Sequence, residues 1–315
     1  MEANDEIYLD KYSGWYAVRD EAYYGEEELT DGPDGKKIAP SGAECEWVEE
    51  ESYFFRLSKW QDRLLEFYES NPKAVQPTSR RNEVISFVKG ELRDLSVSRT
   101  RLRWGVPVPG NEKHVMYVWI DALTNYMTAI GYPDQNAENY KKFWPADVHV
   151  VGKDILRFHA VYWPAFLMAA GLEPARHVFA HGWWTIEGQK MSKSLGNVIA
   201  PQDLIERYGV DAARYFMLRE VPFGNDGDFA HQAAINRINS DLANGIGNLA
   251  QRTLSMIYKN CEEQIPLADD FTADDQKLLA KAYEELLPSL RKYVDDFALH
   301  KMLEAIIALA SDADS

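Results

Sequence analysis

Lys190-Met191-Ser192-Lys193-Ser194 places two ammonium groups three positions apart between two glycines, Gly188 and Gly196. Flanking glycines let such a segment turn sharply. Two lysines on a mobile loop can close on a polyphosphate and neutralise charge as pyrophosphate leaves. The hydroxyls of Ser192 and Ser194 can cap the loop or bond phosphate. The alternative is a solvated loop, since lysine–serine turns are common.

Two further pairs share a face by helical spacing: Ala122 with Tyr126, and Ile155 with His159, each i, i+4. Both helices are expected to begin just after a strand, where parallel sheets bind ligands. The plain alternative makes Trp119, Tyr126 and Ile155 core residues and His159 a satisfied core histidine. Gly152 lets the backbone approach a ligand closely. Asp154, at a helix start, either accepts from a ribose hydroxyl or an ammonium, or caps the helix. His177 and His181 lie four apart with no third ligand evident, so no metal site is expected.

The elements that position these residues follow from periodicity. Residues 7–60 are rich in aromatics and acids, and Asp31-Gly32-Pro33-Asp34-Gly35 is a turn cluster, so a hairpin-rich module with its loop at 25–45 is expected. Leu57–Ser70 has helical spacing, and Asn82–Val88 suggests a short helix. Strands are expected at 114–119, 147–151 and 178–184, with helices after the first two. That alternation predicts a parallel sheet. Pro201 and Gly209 mark a helix start and end. Thr272-Ala273-Asp274-Asp275 reads as a capping box, and Leu278, Leu279, Ala282, Leu286 and Leu290 form one stripe in an expected antiparallel helix bundle.

The formal net charge of −16 argues against a general nucleic-acid coat. Residues 1–50 hold 15 acids and 4 bases, a net −11, which leaves −5 for the rest. The stretch 79–103 has seven bases (Arg80, Arg81, Lys89, Arg93, Arg99, Arg101, Arg103) against three acids. It reads as a solvated face or an RNA-backbone contact. Two distant cysteines suit a reducing cytoplasm. The acidic N-terminus has no signal-peptide pattern, and the apolar run Ala160 to Leu172 is too short to span a membrane and contains Pro164.

Taken together, the motifs resemble one family. Lys190–Ser194 matches the second ATP motif of class I aminoacyl-tRNA synthetases, and His181-Gly182-Trp183-Trp184 resembles their His-Gly strand. The run from Tyr117 to Tyr126, Val151-Gly152-Lys153-Asp154-Ile155 with Phe158-His159, and Arg81-Asn82-Glu83-Val84 look like the methionyl-tRNA synthetases in particular. The likeness runs nearly end to end, in the family's order.

The resemblance implies the second half of a Rossmann-type α/β catalytic domain, with a connective-peptide module before it and an all-α anticodon-binding bundle after it. The implied boundaries are 1–100 for the module, 101–185 for the half-domain, 186–235 for the lysine loop and a linking helical subdomain, and 236–315 for the bundle. The implied activity is ATP- and Mg²⁺-dependent activation of methionine and its transfer to methionine tRNA. Lys190 and Lys193 are then catalytic. Gly152, Asp154, His181, Gly182, Lys190, Ser192 and Lys193 contact ATP, and Val118, Trp119, Ala122, Tyr126, Ile155 and His159 form the methionine pocket. A thioether suits an aromatic wall, because sulfur–ring contacts are worth roughly 0.3–1.5 kcal/mol. Asn248 and Arg252 resemble the anticodon reader. Being i, i+4, they leave one helix face together, and an amide and a guanidinium can stack on and bond unpaired bases; the alternative is an ordinary polar face.

The family's first ATP motif, of His-Ile-Gly-His type, is not in the chain: no two of its seven histidines lie within three positions of each other. The expectation is therefore the C-terminal part of such an enzyme, inactive alone, working with a separate N-terminal half or acting only as a tRNA-binding module. A Leu/Ile/Val-type synthetase is the weaker option, since nothing resembles the long editing insertion of that group. Ala17 and Asp20 stand where many relatives carry zinc-knuckle cysteines, so no structural zinc is expected. The implied localisation is cytoplasmic.

Overall fold

The computed structural model describes residues 1–20, 22–32, 35–191, 196–267 and 270–314. The chain divides into two compact units, Met1–Ala180 and His181–Ser315.

In the first unit, strands Ile7–Ala17 and Glu44–Phe55 pair antiparallel along their length, from Ile7 opposite Phe55 to Ala17 opposite Cys45. Short strands Thr30–Asp31 and Lys37–Ile38 pair with each other inside the expected loop region. Alternation explains the long pair: Val48, Glu50 and Ser52 are buried at period two, while the glutamates between them face water. The Glu50 carboxylate is held by the backbone N–H of Thr100 at 2.6 Å, by the Thr100 hydroxyl, and by Tyr23 Oη at 3.2 Å.

A second, three-stranded sheet of the unit runs in the order His149–Gly152, Val178–His181, Val75–Gln76, with the last two parallel. Helices Gln61–Ser70, Thr78–Lys89, Val118–Thr128 and Trp163–Ala169 accompany it. One core joins Leu64, Tyr68, Val75, Val84 and Val88 to Leu123, Met127, Leu156, Phe166 and Ala180. Residues 57–89 thus share a core with the sheet and do not stand apart at residue 100. The Thr78–Lys89 helix starts four residues before the expected Asn82, immediately after Pro77. The expected strand 178–184 is two strands, Val178–His181 and Trp184–Ile186.

Of the seven bases in 79–103, Lys89, Arg93, Arg101 and Arg103 are exposed, as a solvated face requires, and several bases are also engaged within the unit. Arg80 pairs with Glu83 at 2.7 Å and Arg101 with Glu46 at 2.7 Å. Arg81 donates to Tyr68 O, and buried Arg99 lies 4.2 Å from the Tyr117 ring centroid.

In the second unit, Trp184–Ile186 pairs antiparallel with Gln189–Lys190 and parallel with Gly227–Phe229. Pro201 opens helix Pro201–Tyr208, and Gly209, at φ +80°, ends it. From His231 onward the elements are helical. Thr272 Oγ1 accepts from Asp275 N while Asp275 Oδ2 accepts from Thr272 N, the reciprocal cap expected from sequence. Among the described residues beyond Asp241 none is buried, and Leu278, Leu279, Ala282, Leu286 and Leu290 are half-buried.

Candidate functional site

Helix Val118–Thr128 has two different apolar faces. Leu123 and Met127 enter the core, whereas Val118, Ala122 and Tyr126 form an exposed stripe, with Val118 58 % and Tyr126 39 % exposed. An apolar stripe left in the open beside polar groups marks a ligand surface more than a packing surface. Trp119, at the helix start, stacks on Phe158 with centroids 3.8 Å apart and planes 13° apart, and meets His159 edge-on at 6.2 Å.

His159 is buried and its hydrogen bonds fix its tautomer. Nδ1 lies 3.0 Å from Ile155 O, and a carbonyl only accepts, so Nδ1 carries the proton. Nε2 therefore accepts from the Tyr126 hydroxyl at 2.9 Å. Burial lowers the His159 pKa, and the bond to Ile155 O opposes that shift. Burial raises the Tyr126 phenol, so both groups are neutral near pH 7. The candidates Trp119, Tyr126, Ile155 and His159 thus meet as a neutral aromatic wall, with Ile155 contributing its carbonyl to the hydrogen-bond chain.

Gly152 has φ −66° and precedes the 3-10 turn Lys153–Ile155. Asp154 is exposed in the first turn, and Gly152 stands at the N-cap position.

In the second unit, His181 Nδ1 donates to Gly182 O at 2.8 Å, and its ring stacks on Phe223. Gly182 sits against backbone: a Cβ there would lie 2.1 Å from Asn225 O. Lys190 pairs with Thr185 at the strand end, and its Nζ lies 5.0 Å from the Trp183 ring centroid. Ser192 and Lys193 lie outside the described residues. The turn before the lysines is held by Asp228, whose Oδ1 accepts from Gly188 N at 2.8 Å and from Thr185 Oγ1 at 2.5 Å. Those two bonds lower the Asp228 pKa. Asn197 Nδ2 bonds Lys190 O at 3.1 Å on the other side.

Asn248 and Arg252 occupy the first turns of helix Asn248–Asn260. Arg252 ion-pairs with Asp314, and both line a cavity of about 490 Å³ with Met256, Lys259 and Asn260. Arg237, counted from sequence among the local bases, is instead tied to Glu220 at 2.9 Å and Asp241 at 3.5 Å. Sequence reasoning missed Phe158 as the stacking partner of Trp119, His149 beside Tyr126, and Asp228. For Phe158 the signal was present in its place next to His159.

The family profile described as "tRNA synthetases class I (M)" matches residues 1–254. The chain belongs to the class I (M) tRNA synthetase family. It is 59% identical over 314 residues to a methionine–tRNA ligase of Brucella suis biovar 1 (strain 1330), covering 100% of this chain and 61% of the relative. It is 58% identical over 314 residues to that of Mesorhizobium japonicum, covering 100% of this chain and 60% of the relative. A crystal structure of Mycobacterium tuberculosis methionyl-tRNA synthetase bound by methionyl-adenylate superposes with a TM-score of 0.93 at 53% identity, covering 99% of this chain and 61% of that one. This class I synthetase chain therefore spans about three-fifths of the length of the relatives it matches. The expected placement as their C-terminal part is corrected: the matching stretch is not the relatives' C-terminal part, and the family profile itself takes up residues 1–254. The α/β catalytic fold of the class I synthetases, with its parallel strands and helices, is the fold of this chain.

Proposed function

We propose that this chain serves ATP-dependent activation of methionine and its transfer to methionine tRNA, as a cytoplasmic methionine–tRNA ligase. The observation that carries the reading is the Tyr126–His159 hydrogen bond set in a neutral aromatic wall beside the open stripe of Val118, Ala122 and Tyr126. A thioether has no charge to pair and gains from sulfur–ring contact, so that wall suits methionine better than a charged side chain. The solved relative that holds methionyl-adenylate supports the same reading.

In this scheme the methionine carboxylate attacks the α-phosphate of ATP and pyrophosphate leaves. Positioning and charge neutralisation supply the rate. Lys190 and Lys193, with Ser192, take the leaving pyrophosphate, and Asp228 holds the turn that precedes Lys190. Gly152, Asp154, His181 and Gly182 are assigned to the nucleotide. Among the described residues no three His, Cys, Asp or Glu side chains cluster as a metal site. Mg²⁺ is assigned to the phosphates, since the ion commonly takes one or two carboxylates and substrate oxygens. Asn248 and Arg252 are assigned to anticodon bases, with Arg252 exchanging Asp314 for RNA. No helix among the described residues is long and apolar enough to cross a membrane.

The test is Lys193→Ala in a full-length enzyme carrying this stretch. Pyrophosphate exchange is expected to fall by about a hundredfold or more, with methionine affinity nearly intact. An unchanged exchange rate refutes the role. The second reading, a tRNA-holding piece without chemistry of its own, draws on the three-fifths coverage of the relatives. Filter binding of methionine tRNA by this chain, without pyrophosphate exchange, favours it.

A further inference from the structure

His149 opens the strand His149–Gly152, where its backbone N–H donates to His177 O at 2.9 Å. Its side chain is only 5 % exposed. The ring lies 4.3 Å from the Tyr126 ring, 5.9 Å from His159 and 6.4 Å from Trp144, centroid to centroid. Its Nε2 is buried without a hydrogen-bond partner among the described residues. What the residue supplies is a flat ring on a strand whose position is fixed by the sheet.

Tyr126 needs such a support. It sits on the open stripe of its helix, 39 % exposed, with solvent on one side. Its phenol can satisfy His159 Nε2 only from one ring position, and a half-exposed tyrosine otherwise has other rotamers to occupy. The His149 ring, tilted 40° to the phenol, stands against it. With the ring held, the hydroxyl stays on Nε2, while the Ile155 carbonyl keeps the proton of His159 on Nδ1.

We propose that His149 is a positioning residue for the pocket, holding the Tyr126 phenol on Nε2 of His159. The proposal rests on the reading of this wall as the methionine pocket, and it adds the part that keeps the phenol in one place. A single, neutral shape is what lets a pocket accept a thioether and reject a charged competitor.

The test uses this chain with ¹⁵N-labelled histidine. In the unsubstituted protein, His159 is expected to be protonated at Nδ1, held there by Ile155 O, with its Nε2 resonance moved upfield by the phenol's hydrogen bond, and ring-proton cross-peaks are expected between His149 and Tyr126. In His149→Asn, which removes the ring, the Nε2 resonance is expected to move downfield as the phenol leaves it. In His149→Phe, which keeps a ring, the upfield position is expected to persist. A merely structural role predicts lower melting temperatures with the Nε2 position unchanged. An unmoved Nε2 resonance in folded His149→Asn overturns the proposal, as does a downfield shift in folded His149→Phe. If neither variant folds, missing His149–Tyr126 cross-peaks in the unsubstituted chain overturn it. None of these readouts needs methionine, so their failure is separate from failure of the ligase reading, which pyrophosphate exchange decides. In a full-length enzyme carrying this stretch, His149→Asn is expected to raise the methionine KM about tenfold with the ATP KM unchanged.

Discussion

The Tyr126 hydroxyl and His159 Nε2, 33 residues apart in sequence, are 2.9 Å apart in the fold. Because the other imidazole nitrogen is committed to Ile155 O, the phenol is the group that satisfies Nε2. Tyr126→Phe removes that donor from a histidine only 2 % exposed. The loss is expected to cost about 1–2 kcal/mol of stability and to move the His159 Nε2 resonance downfield, with the proton kept on Nδ1 by Ile155 O. Urea denaturation of the two proteins checks the first, and ¹⁵N spectra the second. Equal stability would mean that water reaches Nε2 and that the bond is not buried as described.

Stability is expected to fall on mild acidification. His149 has its pKa lowered from 6.5 to about 4, chiefly by burial and then by the neighbouring His159. The unfolded chain takes up this proton as pH falls through 6.5, while the folded chain resists until about 4. The contribution is therefore complete above pH 6.5 and is lost progressively towards pH 4, amounting to about 3 kcal/mol. His159, also lowered, acts in the same direction. Urea midpoints at pH 7.0, 6.0 and 5.0 check this, and His149→Phe is expected to flatten the dependence. A flat profile in the unsubstituted protein would contradict a buried neutral His149.

Features set by neighbouring residues were legible in the sequence. The Thr272–Asp275 cap and the stop at Gly209 depend on a few consecutive positions, and they are where spacing places them. The i, i+4 spacing put Ala122 with Tyr126 on one helix face, as observed, and Ile155 with His159 on another, where the observed link runs through the Ile155 carbonyl. Spacing could not say that the two faces meet, because that contact is made by packing two helices whose separation is not encoded in either. His149 was invisible for the same reason: one histidine at a strand start acquires meaning only from Tyr126, His159 and Trp144. For the bases of 79–103 a charge count could not say that Glu46, far away in sequence, pairs with Arg101 or that Arg99 is buried against Tyr117.

A carboxylate with no motif around it organises the second unit. Asp241 accepts from Tyr215 Oη at 2.7 Å and from Ser240 Oγ at 2.8 Å, with Arg237 at 3.5 Å and Arg219 at 3.9 Å. Burial pushes its pKa up, but those two bonds and the two guanidinium charges outweigh it and leave the carboxyl below its usual range. Asp241→Ala leaves the Tyr215 phenol without its acceptor and takes one carboxylate from Arg237 and Arg219, which keep Glu220 and Glu304. The expected loss is about 1–3 kcal/mol, seen in thermal or urea unfolding of the second unit. Loss of less than about 0.5 kcal/mol, the range of an ordinary surface substitution, would show that the cluster is solvated.

The last expectation concerns Gly182, which the family resemblance assigns to ATP. The structure adds a separate reason for glycine: a Cβ would meet Asn225 O at 2.1 Å, Asn225 C at 2.3 Å and Asp226 N at 2.5 Å, all backbone atoms with no rotamer to yield. The segment it would push is tied to the same strand, since Trp183 N donates to Asp226 Oδ1 and Gly227 N to Trp183 O. Gly182→Ala is therefore expected to cost about 1–3 kcal/mol before any ligand is added, by overpacking that moves the 225–227 backbone. Because Gly227–Phe229 pairs with Trp184–Ile186 and Asp228 holds Gly188, that shift reaches the turn bearing Lys190. Unfolding of the ligand-free chain separates this cost from any ATP contact. A variant as stable as the parent, with only nucleotide affinity reduced, would leave ligand approach as the sole reason for the glycine.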